Sequence, residues 1–175
     1  MIKGQEKTPV GVYWGRFNPP HKGHLSVIKK FNQRYNLIVA IGSSEHNNEK
    51  RNPFSGRERK LMMEAYLKEQ KIKDVRVVTL NDGKSKSWAI DNLVKKCKQE
   101  VLLLSENHEM IGLATSKKIH VLSFKRTGSL SSTMIRDLIA SGSGKWRNLT
   151  GKSVVRLIVK LNGINRINTV YKSGK

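Results

Sequence analysis

Five short, nearly all-apolar runs recur along the chain between longer polar or amphipathic stretches: VGVYWGRF (10–17), NLIVAIG (36–42), VRVVTL (75–80), EVLLLS (100–105) and IHVLSF (119–124). Runs of that length and composition read as buried strands. After the first, HLSVIKKF places Leu25, Ile28 and Phe31 at helical spacing. SGRE (55–58) has capping-box spacing ahead of a helix carrying Leu61, Met62, Ala65 and Tyr66. A further helix is predicted from about Trp88 to Lys98. Strands alternating with helices predict an α/β fold, a Rossmann-like parallel sheet with right-handed crossovers and helices on both faces.

Beyond the last strand, SLSSTMIRDLIASG reads as a polar start, a helical body and a stop at Gly142, and a last helix is predicted near Lys152–Leu161, closed by Gly163. A chain of 175 residues accommodates one domain, here a core over about 9–142 and a C-terminal helical segment over about 143–170. The ends, Met1–Thr8 and Tyr171–Lys175, read as disordered.

The single cysteine, Cys97, cannot form an internal disulfide, the apolar runs are too short to span a bilayer, and MIKGQEKTP lacks the apolar core of a signal peptide. A reducing, cytoplasmic setting without a membrane partner is expected. Thirty-four Lys and Arg against 13 Asp and Glu give a formal charge of +21. Such a charge attracts both nucleic acid and small phosphorylated ligands. The basic residues run from Lys3 to Lys175 with no long basic block and little aromatic interleaving, which favours a solvated basic surface over a dedicated nucleic-acid binder.

In an open parallel sheet, ligands bind beyond the carboxyl ends of the strands, where GRFNPPHKGH (15–24) falls. Its helix begins near Lys22 or Gly23, so free N–H groups and the positive end of the dipole favour an anion. Gly23 permits close approach of backbone and phosphate. His21 and His24, three apart across the first turn, can point the same way and donate to phosphate oxygens. Metal ligation fits poorly: none of His46, His108, His120 and Cys97 completes a metal-site spacing, so no metal ligand is expected from protein side chains. SSTMIR (131–136) offers similar anion chemistry a second time: Ser131 or Ser132 can cap a helix, and Thr133 and Arg136 share a face.

HKGH is an HxGH signature, and GRFNPPHKGH resembles the first motif of the nucleotidyltransferase superfamily of adenylyltransferases and class I aminoacyl-tRNA synthetases. SSTMIR is similar to the ISSTxIR box of that superfamily. Over most of the chain the resemblance is to the archaeal-type nicotinamide mononucleotide (NMN) adenylyltransferases. It is carried by GRFNPPHKGHLSVIKK, the IGSSE turn, RNPFSGRER, Trp88 and the closing GKWRNLTGKSVVRLIVKLNGINRI (144–167).

The likeness implies a Rossmann-like nucleotidyltransferase fold in which ATP and NMN give NAD and pyrophosphate. The NMN phosphate would attack the α-phosphorus directly, with Mg2+ on the ATP phosphates. It implies a catalytic set of Arg16, His21, His24 and Arg136. ATP contacts would come from Gly15, Arg16, Phe17, His21, Gly23, His24, Arg51, Ser131, Ser132, Thr133 and Arg136. NMN or NAD contacts would come from Trp14, Ser43, Asn81, Trp88 and Asn107, with Trp88 stacking on the nicotinamide ring where a core role is the alternative. A homo-oligomer is also implied.

Three positions depart from the family pattern. RFNPPH stands where the family tends to read RFQPFH, Asn81 followed by Asp82 stands seven before Trp88 where an acidic residue is frequent, and SENH replaces SxNP. NPPH is shared with bacterial enzymes that use nicotinate mononucleotide, so that acceptor, pantetheine phosphate and FMN stand as alternatives to NMN. So does a non-catalytic nucleic-acid-binding relative. A P-loop reading of SGSGKW fails on spacing, because Ile139 occupies the first glycine position and Trp146 replaces the Ser or Thr. A synthetase reading fails for want of an anticodon-binding extension and a KMSKS-like motif.

Overall fold

The computed structural model describes residues 9–83, 85–97, 99–125 and 128–173. Met1–Thr8, read above as disordered, lie outside them. The elements run β1 (Val10–Gly15), α1 (Lys22–Asn32), β2 (Asn36–Ile41), α2 (Gly56–Glu69), β3 (Val75–Thr79), α3 (Lys86–Cys97), β4 (Val101–Ser105), α4 (His108–Ser116) and β5 (His120–Ser123). Then follow α5 (Ser132–Ala140), a 3-10 helix (Gly144–Leu149), α6 (Lys152–Lys160) and α7 (Gly163–Lys172).

All four strand pairings are parallel, in the order β3-β2-β1-β4-β5. Val12 at the centre pairs with Ile38 on one side and Leu103 on the other. The chain leaves the sheet edge after β3 and re-enters beside β1, so the β1/β4 boundary is the point where strand order reverses.

The strands are apolar in both registers because both faces are covered. Tyr13, Leu37, Val39, Ile41 and Leu104 face the side packed by α1, α2, α5, α6 and α7, while Val12, Ile38, Ala40 and Leu103 face α3 and α4. Gly142 ends α5 as expected, with φ of +75° and its N–H donated to Ile139 O.

Three features differ from the sequence reading. Helix α4 was not anticipated, because only Met110 and Ala114 of its residues are buried; its start is marked by Asn107, whose Oδ1 accepts the Met110 N–H at 3.2 Å. Gly163 opens a helix instead of closing one: the turn is made by Asn162 at φ of +53°, and a Cβ at Gly163 would stand 2.6 Å from the Phe54 ring. Tyr171, expected in a disordered tail, lies in α7 with its hydroxyl donated to Asp137 Oδ1 at 2.8 Å.

The closing helices are tied to the start of α2. Ser55 Oγ accepts the Glu58 N–H and Glu58 Oε2 accepts the Ser55 N–H, while Arg166 from α7 meets Glu58 at 2.7 Å. Burial works against ionisation of Glu58, but Arg166 and the Ser55 N–H outweigh it and hold the carboxyl below its usual range. A depressed carboxylate pKa contributes stability that is present above the unfolded value and lost as pH falls through the folded one. Glu58→Ala removes half of a capping box worth about 1 kcal/mol and the carboxylate partner of Arg166, so its melting midpoint should drop by about 2–4 °C at pH 7. Thermal scans should show that gap shrinking as pH is lowered below the ordinary glutamate range.

Candidate active site

Two adjoining hollows open at the carboxyl ends of β1, β2 and β4. One is lined by Tyr13–Asn18, His24, Arg51, Ser105–Asn107, Ser131–Thr133 and Arg136. The other is lined by Trp14–Arg16, Gly42, Ser43, His46, Glu49, Arg51, Asn52, Asp82, Lys86, Asn107, Glu109 and Met110. Their volumes, about 250 and 440 Å³, together match a site for small organic ligands. Trp14, Gly15, Arg16, Arg51 and Asn107 belong to both walls.

The loop after β1 is fixed almost wholly through its carbonyls. Pro19 and Pro20 have no N–H, and the Asn18–Pro19 peptide is cis. Arg136 Nη1 donates to Asn18 O at 2.8 Å, Ser132 Oγ to Pro19 O at 2.9 Å and Thr150 Oγ1 to Pro20 O at 2.7 Å. The Asn18 side chain completes the anchorage, donating to Phe54 O at 3.1 Å and accepting the Phe54 N–H at 3.3 Å. Phe17, just before, sits at φ of +50° with its ring fully buried. A left-handed residue other than glycine costs on the order of 1–3 kcal/mol and persists where its surroundings over-determine it.

The histidines do not play equal parts. His21 is the N-cap of α1: its Nδ1 accepts the Gly23 N–H at 3.1 Å, and His24 Nδ1 accepts the His21 N–H at 3.2 Å. The rings stack with centroids 3.6 Å apart. A ring nitrogen that accepts an amide proton carries none, so in each neutral ring Nε2 is the donor. His24 lines the first hollow, whereas His21 is wholly buried and Gly23 spends its N–H on the cap. At the helix start it is therefore His24 that faces the hollow, while the Gly23 N–H is taken up by the cap.

SSTMIR lies where α5 meets this loop. Ser131, one of the two candidate caps, is the one that accepts the Met134 N–H, at 3.1 Å. Arg136, expected to clamp the triphosphate, is buried, with Nη1 on Asn18 O and Nη2 on Thr133 Oγ1 at 3.1 Å; its Nε finds no acceptor among the described residues. A buried donor without a partner calls for one.

Burial lowers the Arg16 pKa, and the nearby Arg51 and Arg136 guanidiniums lower it further against the opposing pull of Asp82. Three cations that repel one another in one wall are the electrostatic counterpart of a polyanion.

In the second hollow, Asp82 accepts from Ser43 N at 3.0 Å and Ser43 Oγ at 2.7 Å. Ser43 stands at φ of +50°. Gly42 beside it must lack a side chain, because a Cβ there would run into the Trp14 indole nitrogen. Trp14, Ser43 and Asn107 thus come together here. Asn81 and Trp88 do not: Asn81 turns out to solvent with its Oδ1 on the Gly83 N–H at 2.6 Å, and Trp88 is 47% exposed on α3, packed near Gly83. The cause is register. β3 ends at Thr79 and Leu80 is buried, which sends Asn81 outward and Asp82 in.

Arg59, unremarked within RNPFSGRER, is fully buried between the hollows' loops. Its guanidinium donates to Arg16 O at 2.8 Å, Gly42 O at 2.9 Å, Ser43 O at 2.7 Å and Ser55 O at 3.2 Å. Among the described residues no group of three or more His, Cys, Asp and Glu converges to hold a metal ion. None of the described helices is long and apolar enough to cross a membrane.

A family model described as cytidylyltransferase-like matches residues 12–138. The nicotinamide-nucleotide adenylyltransferase of Methanospirillum hungatei is 33% identical over 162 residues, covering 91% of this chain and 92% of that protein. That of Methanocorpusculum labreanum is 31% identical over 166 residues, covering 93% and 98%. A bifunctional NMN adenylyltransferase/ADP ribose pyrophosphatase from Francisella tularensis, crystallised with AMP and a manganese ion, shares the fold at a TM-score of 0.67 and 20% identity. The match covers 95% of this chain, which spans 56% of that longer protein. A Plasmodium falciparum nicotinic acid mononucleotide adenylyltransferase complexed with NaAD shares the fold at a TM-score of 0.62 and 13% identity, over 90% of this chain and 98% of that one.

Arg51→Gln removes one cation from the crowded wall. A hydrogen bond to a charged group is worth about 1.5–3 kcal/mol, so calorimetry should show inorganic tripolyphosphate binding about tenfold or more weaker. The ligand-free variant should melt no lower than the parent, because repulsion on Arg16 is relieved. Unchanged affinity would remove Arg51 from the site.

Proposed function

The chain belongs to the cytidylyltransferase-like family and, within it, to the nicotinamide-nucleotide adenylyltransferases, and from that premise we propose that it transfers the adenylyl group of ATP to NMN, giving NAD and pyrophosphate. The observation that carries this reading is the gathering of Arg16, Arg51, Arg136 and His24 around one hollow whose wall at Gly15–Arg16 is shared with a second. The triphosphate occupies the first and the acceptor the second, so that the two phosphates face each other across Arg16.

The chemistry is one displacement. An NMN phosphate oxygen bonds to the α-phosphorus as the bond to the bridging oxygen of the β-phosphate breaks, and pyrophosphate leaves with the electron pair. No protein nucleophile is required. The protein's task is to align two anions and offset the charge that grows on the leaving group, which falls to guanidiniums and the His24 Nε2–H. A guanidinium suits it because its planar fork bonds two phosphate oxygens at once. Bound with the ATP phosphates, Mg2+ would supply further charge neutralisation there.

The acceptor hollow offers the amide of NMN several carboxylate acceptors. Asp82, Glu49 and Glu109 line it, and the hydrogen bond from His46, above all, holds Glu49 below the usual carboxylate range. The carboxamide of NMN can donate to these carboxylates, whereas a nicotinate carboxylate would have to turn to Arg16, Arg51 or Lys86, which line the same hollow.

The test is pyrophosphate release with ATP and Mg2+, comparing NMN, nicotinate mononucleotide, pantetheine phosphate and FMN. NMN should be the best acceptor and NAD the product; a preference for either of the last two would overturn the assignment. His24→Ala should lower kcat/KM by about 10²–10³, the usual loss for one transition-state donor. It should also lower the melting midpoint by about 2–4 °C, because the ring is half of the α1 capping box. Near-normal turnover in that variant would contradict the site.

A further inference from the structure

We propose that Arg59 is a positioning residue for both substrates, setting the two loops that carry Arg16 and Ser43 without touching either ligand. The inference rests on the adenylyl-transfer reading of the site. Arg59 lines neither hollow, yet its guanidinium reaches both of the loops that follow β1 and β2.

Its cost is plain. The side chain has no exposed surface, and its four hydrogen bonds all go to main-chain carbonyls. Burial, followed by repulsion from Arg16, lowers its pKa to about 10. A charge in such surroundings is poor value for stability alone, since an apolar side chain of similar volume commonly fills a core at least as well. What an apolar side chain cannot do is fix the orientation of four carbonyls.

Those carbonyls bracket the two left-handed residues of the site. Nη1 holds Arg16 O, in the peptide that leads into Phe17 at φ of +50°. Nη1 and Nη2 hold Gly42 O and Ser43 O, the peptides on either side of Ser43, also at φ of +50°. Nε holds Ser55 O at the N-cap of α2, which ties the clamp to a helix already closed by its own capping box. With these peptides fixed, the Arg16 side chain projects into the triphosphate hollow, and Ser43 presents its N–H and Oγ to Asp82 in the acceptor hollow. The guanidinium therefore sets the distance between the cation that meets one substrate and the carboxylate that meets the other.

A lysine cannot substitute. Its ammonium is a single point with three donors, whereas the bonds here leave three nitrogens spread over a planar fork. Displacement of reacting groups by about 1 Å costs on the order of 100-fold in rate.

Arg59→Lys and Arg59→Met are to be compared with the parent by thermal melting, by steady-state kinetics well below each melting midpoint, and by amide hydrogen exchange. The expected result is a cooperative melt for Arg59→Lys, kcat lower by about 10- to 100-fold, and KM for ATP within about threefold. Exchange should quicken at Phe17 and Ser43–Ser44 and stay slow in β1, β2 and β4. A kcat within twofold of the parent in either variant overturns the proposal. So does a loss that follows the unfolded fraction, or failure of both variants to fold, since each places Arg59 in stability and not in geometry. A parent without transferase activity whose variants still show the local exchange change would sink the reaction assigned above and keep the clamp; an active parent with unaffected variants would do the reverse.

Discussion

Two consecutive prolines at the heart of the site can offer the rest of the protein nothing but carbonyls, and the way those carbonyls are satisfied organises much of the structure. Asn18 O, Pro19 O and Pro20 O are taken in turn by Arg136, Ser132 and Thr150, from segments more than a hundred residues away. Buried carbonyls without donors are costly, so the Asn18–Pro20 stretch depends on α5 and the C-terminal segment being docked against it. The two motifs that flank the site are thus halves of one hydrogen-bonded unit.

The electrostatics follow from the same construction. Fixing the loop places Arg16 beside Arg51 and Arg136, both of which disfavour its charge. A protein that assembles such a wall ahead of its ligand has met part of the reorganisation cost before the reaction starts, which is how preorganised donors gain their effect. Arg59 works by a related logic on the opposite side, as a buried fork that fixes peptide orientations. On each side a guanidinium is used for its geometry as much as for its charge.

The parallel sheet was legible because strands covered on both faces leave an unbroken apolar signature, and the site's position was legible because GRFNPPHKGH and SSTMIR are local motifs. What escaped depends on information outside any local window. Whether Asn81 or Asp82 faces the second hollow is decided by where β3 stops, a one-residue matter that spacing from Trp88 does not settle. Helix α4 hides because it buries only Met110 and Ala114. Arg59 reads as a surface charge on an amphipathic helix, since nothing local reveals that Arg16, Gly42 and Ser43 present their carbonyls to it. The capping part played by His21 and Gly23 was not legible for a different reason: the spacing that suits two phosphate donors equally suits a capping box, which uses the Gly23 N–H and both Nδ1 atoms.

The most direct test of this account is a crystal structure with NMN and a non-hydrolysable ATP analogue, α,β-methylene-ATP, soaked or grown together. The account expects the triphosphate between Arg16, Arg51 and Arg136 with an oxygen on His24 Nε2, and the NMN phosphate facing the α-phosphorus across Gly15–Arg16. A triphosphate lying outside that hollow, or an NMN phosphate turned away from it, would contradict the account.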